Sequence, residues 1–277
     1  MSRIRPRGQS VSALDDRKFQ PSAEEPLRCT VRFHPAETEI QAHSHSWVQI
    51  VFSTRGIIRV SMQQSVYTVQ PWRAIWIPAG VEHVVTVLAD SELHSLHLLV
   101  SRFSSEVDLD LLAALEGKEG RVMEVGVLLR GLVRALADED AVDRSQARYR
   151  ALCTLTLLEV LRAPSVQLGI VLPSERRLRA FCESFLACPR QDRSMHDLAN
   201  KSGASVSTIT RLFHTEMGST FQEWRQKVLL AHALTLAAKG MPIAQIAFEL
   251  GYSNPSAFSF MVTRLVGMPP NQFLRQE

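Results

Sequence analysis

Residues 246–258 read IAFELGYSNPSAF and residues 198–203 read LANKSG, so a Leu/Ile-Ala-x-x-x-Gly pattern recurs at an offset of 48 residues. A helix-turn-helix needs a small residue where its two helices cross and a glycine that adopts positive φ in the turn. Both copies place alanine and glycine at these two points. The repeat therefore predicts two helix-turn-helix units.

Capping signals set the predicted helix ends in both units. In the first, Ser194-x-x-Asp197 resembles a capping box, and Ser205 can cap the next helix. In the second, Asn254 is a cap followed by Pro255 at the first helical position. The apolar residues expected to face inward are Ile209, Leu212 and Phe213 in the first unit, and Phe258, Met261, Val262 and Leu265 in the second.

Residues 220–239, between the two units, are predicted to form one long helix. At 1.5 Å per residue it spans roughly 27–30 Å. Such a helix can set two recognition helices about one DNA turn, ~34 Å, apart on one face of a duplex. A plain helical domain is the alternative interpretation, but two matched copies with matched caps favour DNA binding.

Residues 178–274 resemble the AraC/XylS family of transcriptional regulators, through IAFELGYSNPSAF and through GMPPNQF at 267–273. The resemblance implies DNA binding by two helix-turn-helix units, each with one helix in a major groove. Base-reading candidates carried over by position are Ser207, Thr210 and Arg211, then Pro255, Ser256 and Phe260. The full set of DNA-binding candidates adds Ser205, Thr208, Asn254, Ser259, Thr263 and Arg264.

The second unit departs from the family pattern. Val262 stands where many relatives have phenylalanine, and Thr263 stands where many have a basic side chain. The helix therefore offers few long polar side chains before Arg264. Because Arg211 can reach guanine O6 and N7 with two hydrogen bonds, we expect the first unit to supply most direct readout. The second is expected to supply mainly backbone and shape contacts.

The distribution of charge along the chain also favours DNA binding by its C-terminal part. Residues 1–172 hold 19 basic and 20 acidic side chains, whereas residues 173–277 hold 12 and 8, so the whole net charge of +3 comes from the C-terminal part. A basic surface favours association with nucleic acid. We therefore expect residues 173–277 to form the DNA-binding domain.

Residues 27–104 have the pattern of an antiparallel β domain. Short β-branched and aromatic segments such as WVQIVFST and HVVTVL alternate with turn signals at intervals of roughly 8–12 residues. Residues 1–26 show little periodicity and are predicted to be a disordered arm. Residues 105–172 are predicted to form a helical hairpin, a dimerisation region and a linker, with Asp143 as a candidate N-cap. The predicted fold class is thus two-domain α+β.

Six of the nine histidines lie between residues 34 and 97. His43 and His45 are predicted to share one face of a strand with Gln49, because side chains alternate with period two. His83 is delivered by a neighbouring strand. Three imidazoles that converge in a barrel mouth are a candidate site for Zn²⁺, Ni²⁺ or Fe²⁺.

These residues also resemble the two cupin motifs. His43, His45, Gln49 and Gly56 match the first, and the run Pro78-x-Gly80-x-x-His83 matches the second. Gln49 replaces the usual glutamate ligand, so a metal would depend on the three histidines. Many regulator cupins bind no metal and use the barrel for an organic effector, and Trp47 and Gln49 are candidates for lining that pocket.

Several classes are excluded or disfavoured by composition. No run of roughly 18 apolar residues is present, which excludes a membrane-spanning helix, and the N-terminus does not have the pattern of a secretory signal. The four cysteines form no CxxC pair, which favours reduced, mostly buried thiols in a cytoplasm, with Cys153, Cys182 and Cys188 in helix cores.

Together the patterns predict a one-component regulator whose promoter binding responds to an organic or metallic effector in the barrel. Expected partners are double-stranded promoter DNA, the effector and a second copy of the chain, with RNA polymerase a further candidate. Two alternatives stay open: a metal-dependent cupin oxygenase or isomerase, and a DNA-binding protein whose barrel only dimerises. Gln49 at the acid position argues against the enzyme. Activation and repression are both compatible with the sequence.

Overall fold

The computed structural model describes residues 9–12, 19–103, 119–137, 146–166 and 169–274. The chain divides into two compact units. The first, called the barrel unit below, comprises residues 1–62 and 69–167, and the second, the helical unit, comprises residues 63–68 and 168–277. Among the described residues, no helix is both long and apolar enough to cross a membrane.

The strands of the described residues are mostly short, and all of them lie within the first 171 residues. They are β1 (Ser10–Val11), β2 (Leu27–His34), β3 (Glu39–His43), β4 (Val48–Ser53), β5 (Ile58–Met62), β6 (Ser65–Val69), β7 (Arg73–Ile77), β8 (His83–Val87), β9 (Ser91–Leu98), β10 (Arg121–Glu124), β11 (Ser165–Val166) and β12 (Gly169–Val171). A short 3₁₀ helix, Val100–Phe103, follows β9.

Two sheets form the barrel unit. One has the strand order β1-β3-β8-β5, and the other has the order β11-β10-β7-β4-β9-β2. Strand β1 runs parallel to β3, whereas β3–β8, β5–β8, β2–β9, β4–β9, β4–β7 and β7–β10 are antiparallel. The predicted two-domain α+β class, with an antiparallel barrel before a helical domain, is confirmed.

Strand β4 lies at the centre of the second sheet and is buried at all six positions. Gln49 and Val51 point to the cavity between the sheets, whereas Val48, Ile50 and Phe52 belong to a core on the opposite face. A strand buried on both faces needs a nearly continuous apolar run, and VQIVFS provides one. Each buried apolar side chain contributes about 1.5–3 kcal/mol.

The opposite face of this sheet is covered by α1 (Val127–Ala137) and α2 (Gln146–Arg162), which pack against each other. Leu129 and Val133 from α1 and Leu157 and Val160 from α2 join the core under β4. The predicted pair of helices after the β domain is therefore present. The candidate cap Asp143 lies outside the described residues.

Two predictions about the segments flanking the barrel were wrong in part. The predicted disordered arm, 1–26, contains β1, whose Ser10 and Val11 pair with Glu39 and Ile40 of β3, and β1 thereby covers an edge of that sheet. The predicted hairpin and linker region, 105–172, contains β10, β11 and β12. Strands of two to four residues are too short to show a period, so pairing across the sheet decides them.

The helical unit also holds β6 and β12, which pair antiparallel. Its helices are α3 (Arg176–Ala187), α4 (Met195–Lys201), α5 (Val206–Met217), α6 (Phe221–Ala238), α7 (Ile243–Glu249), α8 (Pro255–Val266) and α9 (Pro270–Phe273). The predicted long helix is α6, which begins with a complete capping box between Thr220 and Glu223. At 18 residues it is about 27 Å long.

Aromatic side chains from α3, α5 and α6 form the core around the first helix-turn-helix. Phe181 lies edge-on to Phe213 and Phe221, with ring centroids 5.9 and 4.9 Å away, and Phe185 packs on Trp224 at 5.9 Å. Edge-to-face pairs at this distance stabilise beyond the area that they bury. The interlocked rings fix how the three helices cross.

The prediction for the cysteines is correct for two of the three helical positions. Cys153 and Cys182 are buried in α2 and α3, and burial raises the pKa of the Cys182 thiol. Cys188 is exposed, because it is the C-cap residue after the last turn of α3 rather than part of its apolar face.

Gly56 and Gly80 provide a matched pair for testing the barrel. Both have positive φ, 78° and 75°, but a Cβ at Gly56 would lie 2.3 Å from the Asp90 carbonyl oxygen, whereas one at Gly80 would meet nothing within 4 Å. We expect Gly80→Ala to cost about 1 kcal/mol, the backbone term alone. Gly56→Ala should cost at least about 2 kcal/mol more, because the overlap is with backbone. Urea unfolding of both variants measures the difference, and equal losses would contradict this packing.

Candidate functional site

A cavity of about 190 Å³ lies between the two sheets of the barrel unit. Alternate residues of β2, β4 and β9 point into it, β3 adds Ile40 and His43 on either side of a register shift, and Phe19 and Trp47 contribute aromatic walls from outside the strands. The residues that line it are Val11, Ser12, Phe19, Thr30, Arg32, His34, Ile40, His43, His45, Trp47, Gln49, Val51, Val85, Leu93, Ser95 and His97.

The three histidines of the predicted metal site lie together, and two of them, His43 and His45, line this cavity. One ring nitrogen from each of His43, His45 and His83 lies within 4.8 Å of the others. The predicted route to this arrangement was wrong, because His43 ends β3, His45 lies in the following loop and Gln49 belongs to β4. The cluster therefore depends on the turn between two strands, not on one strand face.

Backbone hydrogen bonds fix the tautomer of all three rings. The Nδ1 atoms of His43, His45 and His83 lie 2.8, 2.6 and 3.0 Å from the carbonyl oxygens of Gln41, Trp47 and Val81. A carbonyl only accepts, so each Nδ1 carries the proton and donates it. In a neutral ring the lone pair is then on Nε2. A backbone acceptor on the far nitrogen is also the usual support of a metal-binding histidine.

The Gln49 carboxamide lies between two of these rings. Its Oε1 is 3.0 Å from Nε2 of His45 and 3.1 Å from Nε2 of His83. Burial lowers the pKa of His83 to about 4, so this ring is neutral at pH 7 and its Nε2 has no proton to donate. Two arrangements would give these acceptor atoms a partner. Either they share a cation, or the Gln49 amide is turned so that its NH₂ group donates to both rings.

His97 was not among the predicted site residues, although it lines the same cavity. The Trp47 indole Nε1–H donates to His97 Nδ1 at 3.0 Å, and the indole itself stacks on His45 at 5.0 Å. The period-two pattern of β9 was the available signal, since it places His97 on the opposite face from His94. Arg32 and His34 of β2 were also missed, because their direction depends on the pairing of β2 with β9.

In the helical unit both predicted turns have the expected geometry. Gly203 and Gly251 adopt φ of 70° and 77°. Ala199 and Ala247, at the two helix crossings, have no exposed surface. The helix pairs α4–α5 and α7–α8 are therefore two copies of one supersecondary unit.

The candidate DNA-binding residues lie on α5 and α8, the second helix of each unit. Those exposed are Ser207, Thr210 and Arg211 on α5, and Ser256, Phe260, Thr263 and Arg264 on α8. Thr208, Pro255 and Ser259 are half-buried. Ser205 and Asn254 cap the two helices, and their side chains accept from the backbone N–H groups of Thr208 and Ala257.

Several candidate hydroxyls are already hydrogen-bonded within their own helix. Thr210 donates to the Val206 carbonyl and Ser259 to the Pro255 carbonyl, both at 2.9 Å. Within the described part of the chain, Arg211 and Arg264 form no ion pair. These two guanidinium groups are therefore available for contacts on the exposed faces of α5 and α8.

The two helix-turn-helix units are held together by the loop that follows α3. Gln191 N–H donates to the Leu250 carbonyl at 2.6 Å, and Asp192 lies against the Gly251 turn, where a Cβ would meet its carboxylate at 2.6 Å. Arg225 of α6 donates to the Gln191 carbonyl at 3.2 Å. The spacing of α5 and α8 thus depends on these contacts as well as on α6.

Two family models match the chain. Residues 25–161 match the AraC-like ligand-binding domain, and residues 198–276 match a helix-turn-helix domain. The first contains the histidine cluster and nearly all of the cavity lining. The second contains all the candidate DNA-binding residues.

Several known proteins align with most of this chain. The chain is 27% identical to the HTH-type transcriptional regulator NimR of Escherichia coli over 232 residues, which is 84% of this chain and 81% of the relative. It is 24% identical to the probable transcriptional regulator LumQ of Photobacterium leiognathi, over 83% of this chain and 90% of the relative. A structure of ToxT from Vibrio cholerae aligns at 12% identity over 90% and 98% of the two chains, with a TM-score of only 0.36.

The buried state of His97 predicts a pH-dependent stability. Burial, with smaller contributions from the charges of His45 and Arg28, lowers the pKa of His97 from 6.5 to about 3. Since the unfolded chain binds this proton below about pH 6.5 and the folded chain does not, stability falls as the pH drops from 6.5 towards 3. Replacing His97 with Gln, which keeps an acceptor for Trp47, should reduce that slope by about 1.4 kcal/mol per pH unit.

Urea unfolding between pH 7 and 5, followed by tryptophan fluorescence, measures the slope, because Trp47, Trp72 and Trp76 all lie in the barrel unit. An unchanged slope in the variant would show that His97 is protonated equally in both states.

Proposed function

The chain belongs to the AraC family of transcriptional regulators, and we propose that it reads promoter DNA with α5 and α8 while the barrel cavity binds the effector. It is a DNA-binding regulator with a ligand-binding domain, and not an enzyme. The observation that carries the proposal is the pair of capped helices, each placed after a positive-φ glycine and each presenting an arginine without a carboxylate partner among the described residues.

The two helices differ in what they can read. Arg211 on α5 is a donor suited to guanine O6 and N7. Phe260 on α8 is 70% exposed, and an aromatic side chain on such a helix can contact a thymine methyl group. The hydroxyls of Thr210 and Ser259 are engaged with their own backbone. These side chains support direct base readout by α5. For α8 they support apolar contacts with bases and contacts with the DNA backbone.

Trp47 and Gln49 are the proposed contacts for the effector in the cavity. Trp47 is 5% exposed and provides a flat apolar wall, and Gln49 provides an amide that can turn. Binding there alters promoter affinity if the bound and free barrels differ in their preference for the DNA-competent state.

We further propose that His43, His45 and His83 can hold a divalent transition metal, Zn²⁺, Ni²⁺ or Fe²⁺. The hydrogen bonds from Nδ1 to backbone carbonyls fit this role, since they make Nε2 the candidate ligand atom of each ring. A bound metal would supply a Lewis-acid contact for an effector. The amide of Gln49, rather than a carboxylate, makes the three imidazoles the main ligands.

A second copy of the chain is the proposed partner of the helices α1 and α2. Val127, Leu128 and Leu155 are 84%, 54% and 45% exposed on these helices, which is unusual for large apolar side chains grouped on one helix pair. We propose a homodimer in the cytoplasm, where promoter DNA is found, with RNA polymerase as a further partner. Light scattering that returns a single chain mass of 31.0 kDa would contradict the dimer.

Replacing Arg211 with Ala should relax sequence discrimination more than replacing Ser256 with Ala. Loss of a bidentate arginine–guanine pair costs about 1–3 kcal/mol at one base pair, whereas Ser256 is a short side chain at the start of α8. Competition binding with a selected operator and single-base variants measures the effect. Equal losses in the two variants would contradict the proposed division.

The metal site is tested by elemental analysis of untagged protein prepared without chelator. We expect about one Zn, Ni or Fe per chain, lost in the His43→Ala/His45→Ala variant, and tighter retention in Gln49→Glu because a carboxylate is a better ligand than an amide. Absence of metal after incubation with all three ions would contradict the site. Gln49 would then act as an amide donor to the imidazoles.

A further inference from the structure

The cavity wall has an unbalanced charge. Its polar residues include Arg32, four histidines, two serines, a threonine and a glutamine, whereas no aspartate or glutamate is among the described residues that line it. A ligand that enters this cavity therefore meets one fixed positive charge and no fixed negative charge. Such a site favours a ligand that brings the missing negative charge.

Arg32 differs in this respect from the arginine four residues before it on the same face of β2. Arg28 forms an ion pair with Glu25 at 3.3 Å and donates to the Gln20 carbonyl at 3.5 Å. Arg32 has no such carboxylate within the described part of the chain, and its guanidinium carbon lies 4.8 Å from the centre of the Phe19 ring. Arg32 is an exposed residue that lines the cavity, and its guanidinium lies against this aromatic face.

Arg32 is the one arginine or lysine among the described residues that line the cavity. Burial and then the charge of Arg32 lower the pKa of His34, the histidine two residues further along β2. The His34 ring is therefore neutral at pH 7 and does not add to this charge. A single cation matches a ligand group of charge −1, such as a carboxylate, better than a phosphate monoester, which carries about −1.5 to −2.

The other residues of the cavity wall determine the polarity and the size of the rest of the ligand. Trp47, Phe19, Val51, Val85 and Leu93 are apolar, and the volume of about 190 Å³ is below the range of about 300–1,000 Å³ typical of drug-sized ligands. The space therefore suits a molecule of one ring or a short alkyl chain.

We propose that the barrel cavity takes a small monocarboxylic acid with an apolar body, and that Arg32 is the residue that recognises its carboxylate. This inference rests on the proposed function, in which the cavity is the effector site. A planar guanidinium can bind a carboxylate with two parallel hydrogen bonds, which gives geometric as well as charge selection. The apolar body then lies towards Trp47.

The test compares acids with their neutral amides on the full-length protein, in EDTA so that no metal contributes. The probes are benzoate, phenylacetate, hexanoate and octanoate, each paired with its amide, and binding is measured by calorimetry at pH 7.5. For at least one pair we expect the acid to bind at least about fivefold more tightly, the order expected for a partly exposed ion pair. The preference should shrink at high salt.

Variants then assign the preference to one residue. Arg32→Gln should abolish the acid preference while the amide still binds, and Arg32→Lys should keep part of it. Arg28→Gln, on the same face of the same strand, should leave the preference unchanged. Equal binding of acids and amides, binding by no acid of the panel, or a preference that survives in Arg32→Gln would each overturn the inference.

DNA binding by the same protein preparations separates this inference from the proposed function. Retained sequence-specific DNA binding with no acid preference overturns only the ligand class. Loss of DNA binding in the unsubstituted protein contradicts the proposed function itself.

Discussion

A polar group removed from water needs a hydrogen-bond partner, and this constraint shapes both units of the chain. In the barrel unit it turns His43, His45 and His83 so that each Nδ1 donates to a nearby backbone carbonyl. In two of these rings, His45 and His83, the other nitrogen faces the Gln49 side-chain oxygen, at 3.0 and 3.1 Å. In the helical unit the same constraint places side-chain oxygens of Ser205 and Asn254 over the first turn of α5 and α8. Ring tautomer and helix start are thus consequences of satisfied backbone groups.

In the helical unit, hydrogen bonds of this kind also connect the two helix-turn-helix copies. The proposed reading of DNA by α5 and α8 requires a constant distance between these helices, so the two copies must not move independently. Backbone hydrogen bonds from the loop at residues 190–192, together with the length of α6, oppose such movement. Gly251 contributes both to the turn of the second copy and to its contact with this loop. Its positive φ forms the turn, and its missing side chain leaves room for Asp192.

Local features of the fold could be predicted from sequence, and non-local ones could not. The turns at Gly203 and Gly251 and the caps at Ser194, Ser205 and Asn254 depend on residues within a few positions, so their spacing was sufficient. The pairing of β1, β10 and β11 depends on distant strands, and segments this short have no period to detect. Arg32 was missed as a cavity residue for the same reason, since the pairing of β2 with β9 sets its direction. His97 was missed although the period-two pattern of β9 was a local signal for it. The histidine cluster was found through its motifs, although the loop position of His45 was not.

The central claim is that two fixed helices read DNA together. The most direct measurement is selection of duplexes bound by the purified full-length chain from a random-sequence pool, followed by sequencing of the enriched DNA. The account predicts two preferred blocks with centres about 10–10.5 base pairs apart, which is one turn of the duplex. Enrichment of a single block, or of two blocks at variable spacing, would contradict it.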